Sequence, residues 1–129
     1  MKKILALMLF AAFTMTMSAQ NNTLTEKEKS EGWQLLFNGK TFDGWRKCNA
    51  TEMAANWEIN DQAMKVKRGE KAGYGQGGDI LFGTDKFANF ELSIDWKIEK
   101  EGNSGIFYYV VEEPGKPIYY AAPEIQVLD

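Results

Sequence analysis

The ten residues 90–99 constrain this chain more than any other stretch. Phe90, Leu92, Ile94, Trp96 and Ile98 alternate with Glu91, Ser93, Asp95, Lys97 and Glu99. A side-chain period of two belongs to a strand, because successive Cβ atoms point to opposite faces. On a helix the same order would scatter apolar groups around the whole cylinder. The segment predicts a long strand with one apolar and one polar face. Shorter strand signals surround it at 33–37, 57–60, 63–67, 79–82, 104–111 and 123–129. The second and third form a hairpin about Asp61-Gln62, with Trp57, Ile59, Met64 and Val66 at its apolar positions. In the last, Ile125 and Val127 oppose Glu124 and Gln126 in parity. Asn38-Gly39-Lys40, Phe42-Asp43-Gly44-Trp45 and Gly102-Asn103 read as turns. Residues 68–78, with five glycines, and 112–117 read as loops. No helix is predicted after residue 31, and there is no internal repeat. Short antiparallel strands joined by Gly-rich turns imply an all-β sandwich or barrel. Leu92, Ile94, Trp96, Ile106, Ile125 and Val127 are its expected core, packed with most of the tryptophans.

The 129 residues hold one domain. Residues 1–19 read as a secretory signal peptide: Lys2 and Lys3, an apolar run from Ile4 to Phe13, then a small-residue exit at Ser18-Ala19. The run is too short to span a bilayer, and no Cys follows it to carry a lipid. Export to the periplasm or the medium, with no stable membrane anchor after cleavage, is the expectation. Residues 20–31 are a polar linker with room for one short helical turn, and residues 32–129 form the domain. The chain stops inside a strand pattern, whereas a sandwich commonly runs about 200–250 residues. The expectation is therefore the N-terminal part of a larger β-sandwich.

Composition excludes several chemistries. There is no His, so no Ser-His-Asp triad, Cys-His dyad or His-ligated zinc can form within these residues. One Cys, Cys48, rules out an internal disulfide. Loss of residues 1–19 removes two lysines and no acid, taking the net charge from −3 to −5. With no basic stripe, nucleic acid is not an expected partner.

Three constellations can carry chemistry. Glu124, Gln126 and Asp129 form the first. Glu124 and Gln126 share a strand face, and Asp129 joins them only if the strand bulges near Leu128. The layout E-x-Q-x-x-D is related to the E-x-D-x-x-E strand of retaining β-glucanases. Two carboxylates and an amide can hold a sugar and move protons, although a solvated strand face has the same alternation. The second is Asn103-Ser104-Gly105, a turn signature opening an apolar strand. Asn103 and Ser104 are placed on a cleft rim, and Gly105 permits close approach of another backbone or a ligand. The third is a supply of tyrosines, with Tyr109, Tyr119 and Tyr120 as surfaces on which the C–H face of a sugar can stack. The Gly-rich stretch 73–78 fits G-x-G-x-x-G in spacing, but no helix follows it, so no phosphate loop is expected.

Residues 32–45 (GWQLLFNGKTFDGW), 102–107 (GNSGIF) and 123–129 (PEIQVLD) occur in an order that resembles one known family. It was formerly called domain of unknown function 1080 and is now described as 3-keto-disaccharide hydrolase, or 3-keto-glucoside-1,2-lyase/3-keto-2-hydroxy-glucal hydratase. The resemblance implies a concanavalin A-like jelly roll, exported by Gram-negative bacteria such as Bacteroidetes. It implies an oligosaccharide or glycoside substrate carrying a ketone at C3. That ketone acidifies the C2 hydrogen; a base removes the proton, the C1 substituent leaves, and water adds to the glucal. Glu124 and Asp129 would serve as base and acid, or would hold a divalent cation such as calcium as electrophile. Gln126, Asn103 and Ser104 would orient hydroxyls. The family often has an Arg shortly after Asn-Ser-Gly where this chain has Tyr108-Tyr109, and its domain continues beyond the last motif. A lectin-like binding module and a conventional retaining glycosidase remain the alternative classes.

Overall fold

The computed structural model describes residues 21–67, 78–83 and 85–129. Residues 1–19, expected to be a signal peptide, and most of the expected glycine-rich loop lie outside the described residues. Helix α1, Glu26–Ser30, falls within the linker. Thr25 caps it: its Oγ1 accepts from the Glu28 amide at 3.2 Å, and the Glu28 carboxylate accepts from the Thr25 amide at 2.7 Å. Reciprocal capping of this kind satisfies two amides that a helix start leaves without partners.

The remaining elements are strands: β1 Trp45–Lys47, β2 Trp57–Asn60, β3 Ala63–Val66, β4 Ile80–Phe82, β5 Asn103–Phe107 and β6 Glu124–Leu128, with one 3-10 turn, Ile118–Tyr120. They pair as three antiparallel two-stranded sheets, β1–β4, β2–β3 and β5–β6. The class is all-β and antiparallel, as expected.

The β2–β3 hairpin follows the sequence closely. Trp57 faces Val66 and Ile59 faces Met64, so the four apolar positions share one side. Its turn places Asp61 at φ 47° and Gln62 at φ 61°. Two left-handed residues make the primed turn that matches strand twist. The Asn38 turn is also present: Asn38 Oδ1 accepts from the amides of Lys40 and Thr41 at 2.8 and 2.9 Å.

Two expected strands are absent. Residues 33–37 carry no ladder; instead the Leu36 carbonyl accepts the Trp45 indole N–H at 2.6 Å. The Trp33 amide donates to Glu28 O and the Gln34 side chain to Asp85, each at 3.0 Å, so the segment is held by scattered single bonds rather than by a neighbouring strand. Residues 90–99 likewise form no strand, and Leu92, Ile94 and Trp96 are exposed, Trp96 at 57%. The reason is physical. Alternation selects a face, but a strand exists only through hydrogen bonds to another strand, and among the described residues none pairs with this segment. Ile125 is also exposed, at 58%, while Val127 on the same face is buried at 6%. Ile106 is half-buried.

Among the described residues, Ile118 and Val127 are the buried apolar side chains. Much of the remaining packing is aromatic. Trp45, Phe82, Phe87, Phe90, Tyr109 and Tyr108 form a continuous chain of ring contacts with centroids 5.5–6.4 Å apart. This chain links β1–β4 to the end of β5.

The hairpin turn makes a direct prediction. A side-chain-bearing residue in the left-handed region is disfavoured by about 1–2 kcal/mol, and glycine is not. Glycine has a larger unfolded-state entropy, so Gln62→Gly should stabilise the protein by roughly 0.5–1 kcal/mol. A rise in Tm on thermal unfolding checks this; a fall would mean that the Gln62 side chain contributes more than the turn costs.

Candidate functional site

Two of the constellations singled out in the sequence, Asn103-Ser104-Gly105 and Glu124-Gln126-Asp129, meet in β5–β6. Glu99 O accepts from the Gly102 amide at 2.8 Å, closing the turn that starts β5. Beyond the strands, the Tyr108 amide donates to Pro123 O at 3.2 Å, and the Asp129 amide donates to Gly102 O at 3.4 Å. Within them the register pairs Asn103 with Leu128, Ser104 with Val127, Gly105 with Gln126, Ile106 with Ile125 and Phe107 with Glu124. Residues directly opposite in an antiparallel ladder share a face. One face therefore carries Asn103, Gly105, Phe107, Glu124, Gln126 and Leu128. The other carries Ser104, Ile106, Ile125 and Val127.

This arrangement sorts the candidates. Glu124, Gln126 and Asn103 lie in a row on one open face, Gln126 in the middle and Asn103 at the Leu128 end. Ser104 does not join them; it lies on the Val127 side, since neighbours along a strand cannot share a face. Asp129 does not join them either. The register runs unbroken to Leu128, so there is no bulge to turn Asp129 over. Its carboxylate instead accepts the Glu101 amide at 2.9 Å, where Glu101 turns at φ 60°. At about 3.4 Å per residue, Glu124 and Asp129 are roughly 17 Å apart along the chain. A retaining glycosidase pair needs carboxyls at about 5–5.5 Å, so these two residues do not supply one. They do not make a cation cage either. Among the described residues, no group of three or more His, Cys, Asp or Glu side chains converges on one point, and a hard divalent cation takes six or more oxygens.

The tyrosines take two different positions. Tyr109 leaves the ladder at φ 53°, and its ring packs edge-on against Phe90 and Tyr108 at 6.0 and 5.5 Å. Tyr119 and Tyr120 stack on each other at 5.2 Å and 26°, and are among the most exposed large side chains. Their 3-10 turn follows Pro117 and is anchored by the buried Ile118. Tyr120 lies four residues before Glu124, which puts the ring pair at most about 14 Å along the chain from it.

Sequence reasoning missed the groups that hold this loop. Arg46 donates to both oxygens of Glu112, at 2.7 and 2.5 Å, and to Ala50 O at 3.1 Å. The Asn49 amide adds a third bond to the Glu112 carboxylate at 2.6 Å, and the Asn49 side chain donates to the carbonyls of Glu113 and Lys116. Both partners of the ion pair are 27% exposed. The guanidinium and the Asn49 amide hold the Glu112 carboxyl at about 2, well below its ordinary 4.5. Burial pushes the nearby Cys48 thiol up, and the Asp79 carboxyl likewise. No local pattern announces a pair 66 residues apart. A separate concavity of about 250 Å³ lies on the first motif, between Leu35–Asn38, Thr41, Asp43, Gly44 and Phe82. It takes no residue from β5 or β6, and its one carboxylate, Asp43, accepts the Thr41 hydroxyl. The chemistry is better sought on the β5–β6 face.

The profile of the 3-keto-alpha-glucoside-1,2-lyase-like domain matches residues 32–129. A 3-keto-disaccharide hydrolase of Bacteroides thetaiotaomicron is 41% identical over 123 residues, which is 87% of this chain and 42% of that protein. A crystal structure of a protein assigned as a glycosyl hydrolase, from Parabacteroides distasonis, superposes with a TM-score of 0.61 at 34% identity, covering 84% of this chain and 46% of that one. The chain thus spans less than half the length of both relatives.

The Arg46–Glu112 clamp predicts an acid response. Glu112 titrates lower folded than unfolded, so its contribution is fully present above about pH 4.5 and is lost as pH falls toward about 2. Glu112→Gln should cost about 1–2 kcal/mol near neutral pH, since bonds to charged groups are worth more than neutral ones but these are partly solvated. It should also flatten the fall of Tm between pH 4.5 and 2. An unchanged acid limb in the variant would show that other carboxylates govern that fall.

Proposed function

The chain belongs to the 3-keto-alpha-glucoside-1,2-lyase-like domain family, and on that premise we propose that it takes part in cleaving 3-keto-glucosides, with Glu124 as the general base. The observation that carries this reading is the single face holding Glu124, Gln126 and Asn103. It unites two of the three motifs that resemble the family. The name of the Bacteroides thetaiotaomicron relative supports a glycoside substrate. The leader-like pattern of residues 1–19 supports an exported protein.

The proposed chemistry follows from the ketone. With C3 oxidised, loss of the C2 proton gives an enolate rather than a bare carbanion. Glu124 accepts that proton. The C2–H electrons move to the C1–C2 bond as the C1–O bond breaks, and the departing oxygen takes a proton from water at the open face. Water then adds across the new double bond, so the net change is hydrolysis. Gln126 and Asn103 can donate to sugar oxygens through their amide N–H₂ groups and accept from hydroxyls, which orients the C2 hydrogen toward the base. Tyr119 and Tyr120 offer a stacked aromatic surface to a second sugar or an aglycone. Tyr109 presents its exposed ring beside the same strand. Asp129 is assigned to the turn at Glu101, not to the reaction.

In the full-length protein, Glu124→Gln should lower kcat on a 3-keto-glucoside by about 10²–10⁴, with little change in Tm. Gln126→Ala should act mainly on KM. Asp129→Asn should lower Tm more than rate. Turnover in deuterated water should place deuterium at C2 of the product. Near-full activity of Glu124→Gln would remove Glu124 from the mechanism, and binding of unoxidised glycans without turnover would favour a lectin-like module.

A further inference from the structure

We propose that Gly105 is a positioning residue: a notch in β5 that seats the carboxyl of Glu124. The reading rests on Glu124 being the base. Gly105 lies inside a regular ladder, opposite Gln126, and it is not among the glycines with positive φ. Its backbone is one that any residue adopts, so conformation does not explain a glycine here. Space does. A Cβ on Gly105 would overlap Oε1 of Glu124 and fall 2.5 Å from its Cδ and 2.6 Å from its Cγ. All three atoms belong to one side chain. The distal end of Glu124 therefore fills the place where any other residue 105 would put its first carbon.

The geometry has a chemical consequence. Glu124 is directly opposite Phe107, not Gly105, so its side chain crosses the ladder diagonally to reach the notch. Diagonal neighbours lie within reach of long side chains. Gly105 and Gln126 share a rung. The carboxyl is thereby brought over the rung that carries the Gln126 amide, and base and hydroxyl-orienting group face the same sugar. A glycine weakens a strand interior; here it leaves room for the end of a side chain with three rotatable bonds.

The test is a double-mutant cycle in the full-length protein, read by kinetics and by thermal unfolding. Gly105→Ala should lower kcat on a 3-keto-glucoside by at least about tenfold, because misplacing a reacting group by an ångström costs on this order or more, with KM changed much less. In the Glu124→Gln background it should cause no further fall. In stability, Gly105→Ala should lower Tm in the wild type but leave it unchanged or raise it beside Glu124→Ala, where the space is vacated. If Gly105→Ala alone fails to fold, recovery of folding by Glu124→Ala supports the notch, and failure of the double variant overturns it. Unchanged kcat in Gly105→Ala, or equal Tm changes in both backgrounds, also overturns it. Full activity of Glu124→Gln would instead sink the base assignment, and the Tm cycle would still decide whether the notch seats that side chain.

Discussion

The bidentate pair between Arg46 and Glu112 is the interaction on which the arrangement of the chain depends. Among the described residues β1–β4 and β5–β6 share no ladder, so no strand pairing there joins the first half of the domain to the strands that carry Glu124. Arg46 projects from the middle residue of β1, and Glu112 lies just after β5. A planar fork meeting two carboxylate oxygens fixes orientation as well as distance. The Asn49 contacts to Glu112, Glu113 and Lys116 then bind the rest of that loop. Next along the chain come the tyrosine-bearing turn and then β6. The clamp thus sets the starting point of the element that presents the proposed base. The ring chain from Trp45 to Tyr108 runs between the same two sheets and is its apolar counterpart. Neither bond set alone would do both jobs: the ion pair gives direction with little area, and the rings give area with loose angular demands.

Local patterns of the sequence were readable where both partners of an interaction lie close together. The β2–β3 hairpin, the Asn38 turn and the short capped helix α1 close within a few residues, and each has the composition its geometry needs. In β6, parity correctly separated Glu124 and Gln126 from Ile125 and Val127, because a strand has only two faces. Parity also forbids Asn103 and Ser104 from lining one rim together, and the structure keeps them apart. What could not be read depends on distant partners. The strongest pattern of all, residues 90–99, promises a strand without naming its neighbour, and in the described structure Phe90, Leu92, Ile94 and Trp96 stand exposed. Arg46 and Glu112 carry no mark that distinguishes them from other charges. Asp129 had two fates open to it, and an unbroken register with the Glu101 amide within reach selected the structural one.

The polar face of β5–β6 also bears on which kind of bond cleavage is chemically economical there. Displacement at an anomeric carbon needs two groups flanking the bond, one to protonate the leaving oxygen and one to attack or activate water. Elimination beside a ketone makes a smaller demand, because the carbonyl already stabilises the charge that proton removal creates. A base held still, and amides that fix the sugar ring against it, address most of what remains. Glu124, Gln126 and Asn103 are groups of that kind, and Asp129 is committed to a backbone amide at the other end of the strand. The exposed Tyr119–Tyr120 stack fits the same economy. On the proposed reading it would add binding area without adding a carboxylate to compete with Glu124 for the proton, so that substrate would be held by its remote parts while one carboxylate took the proton.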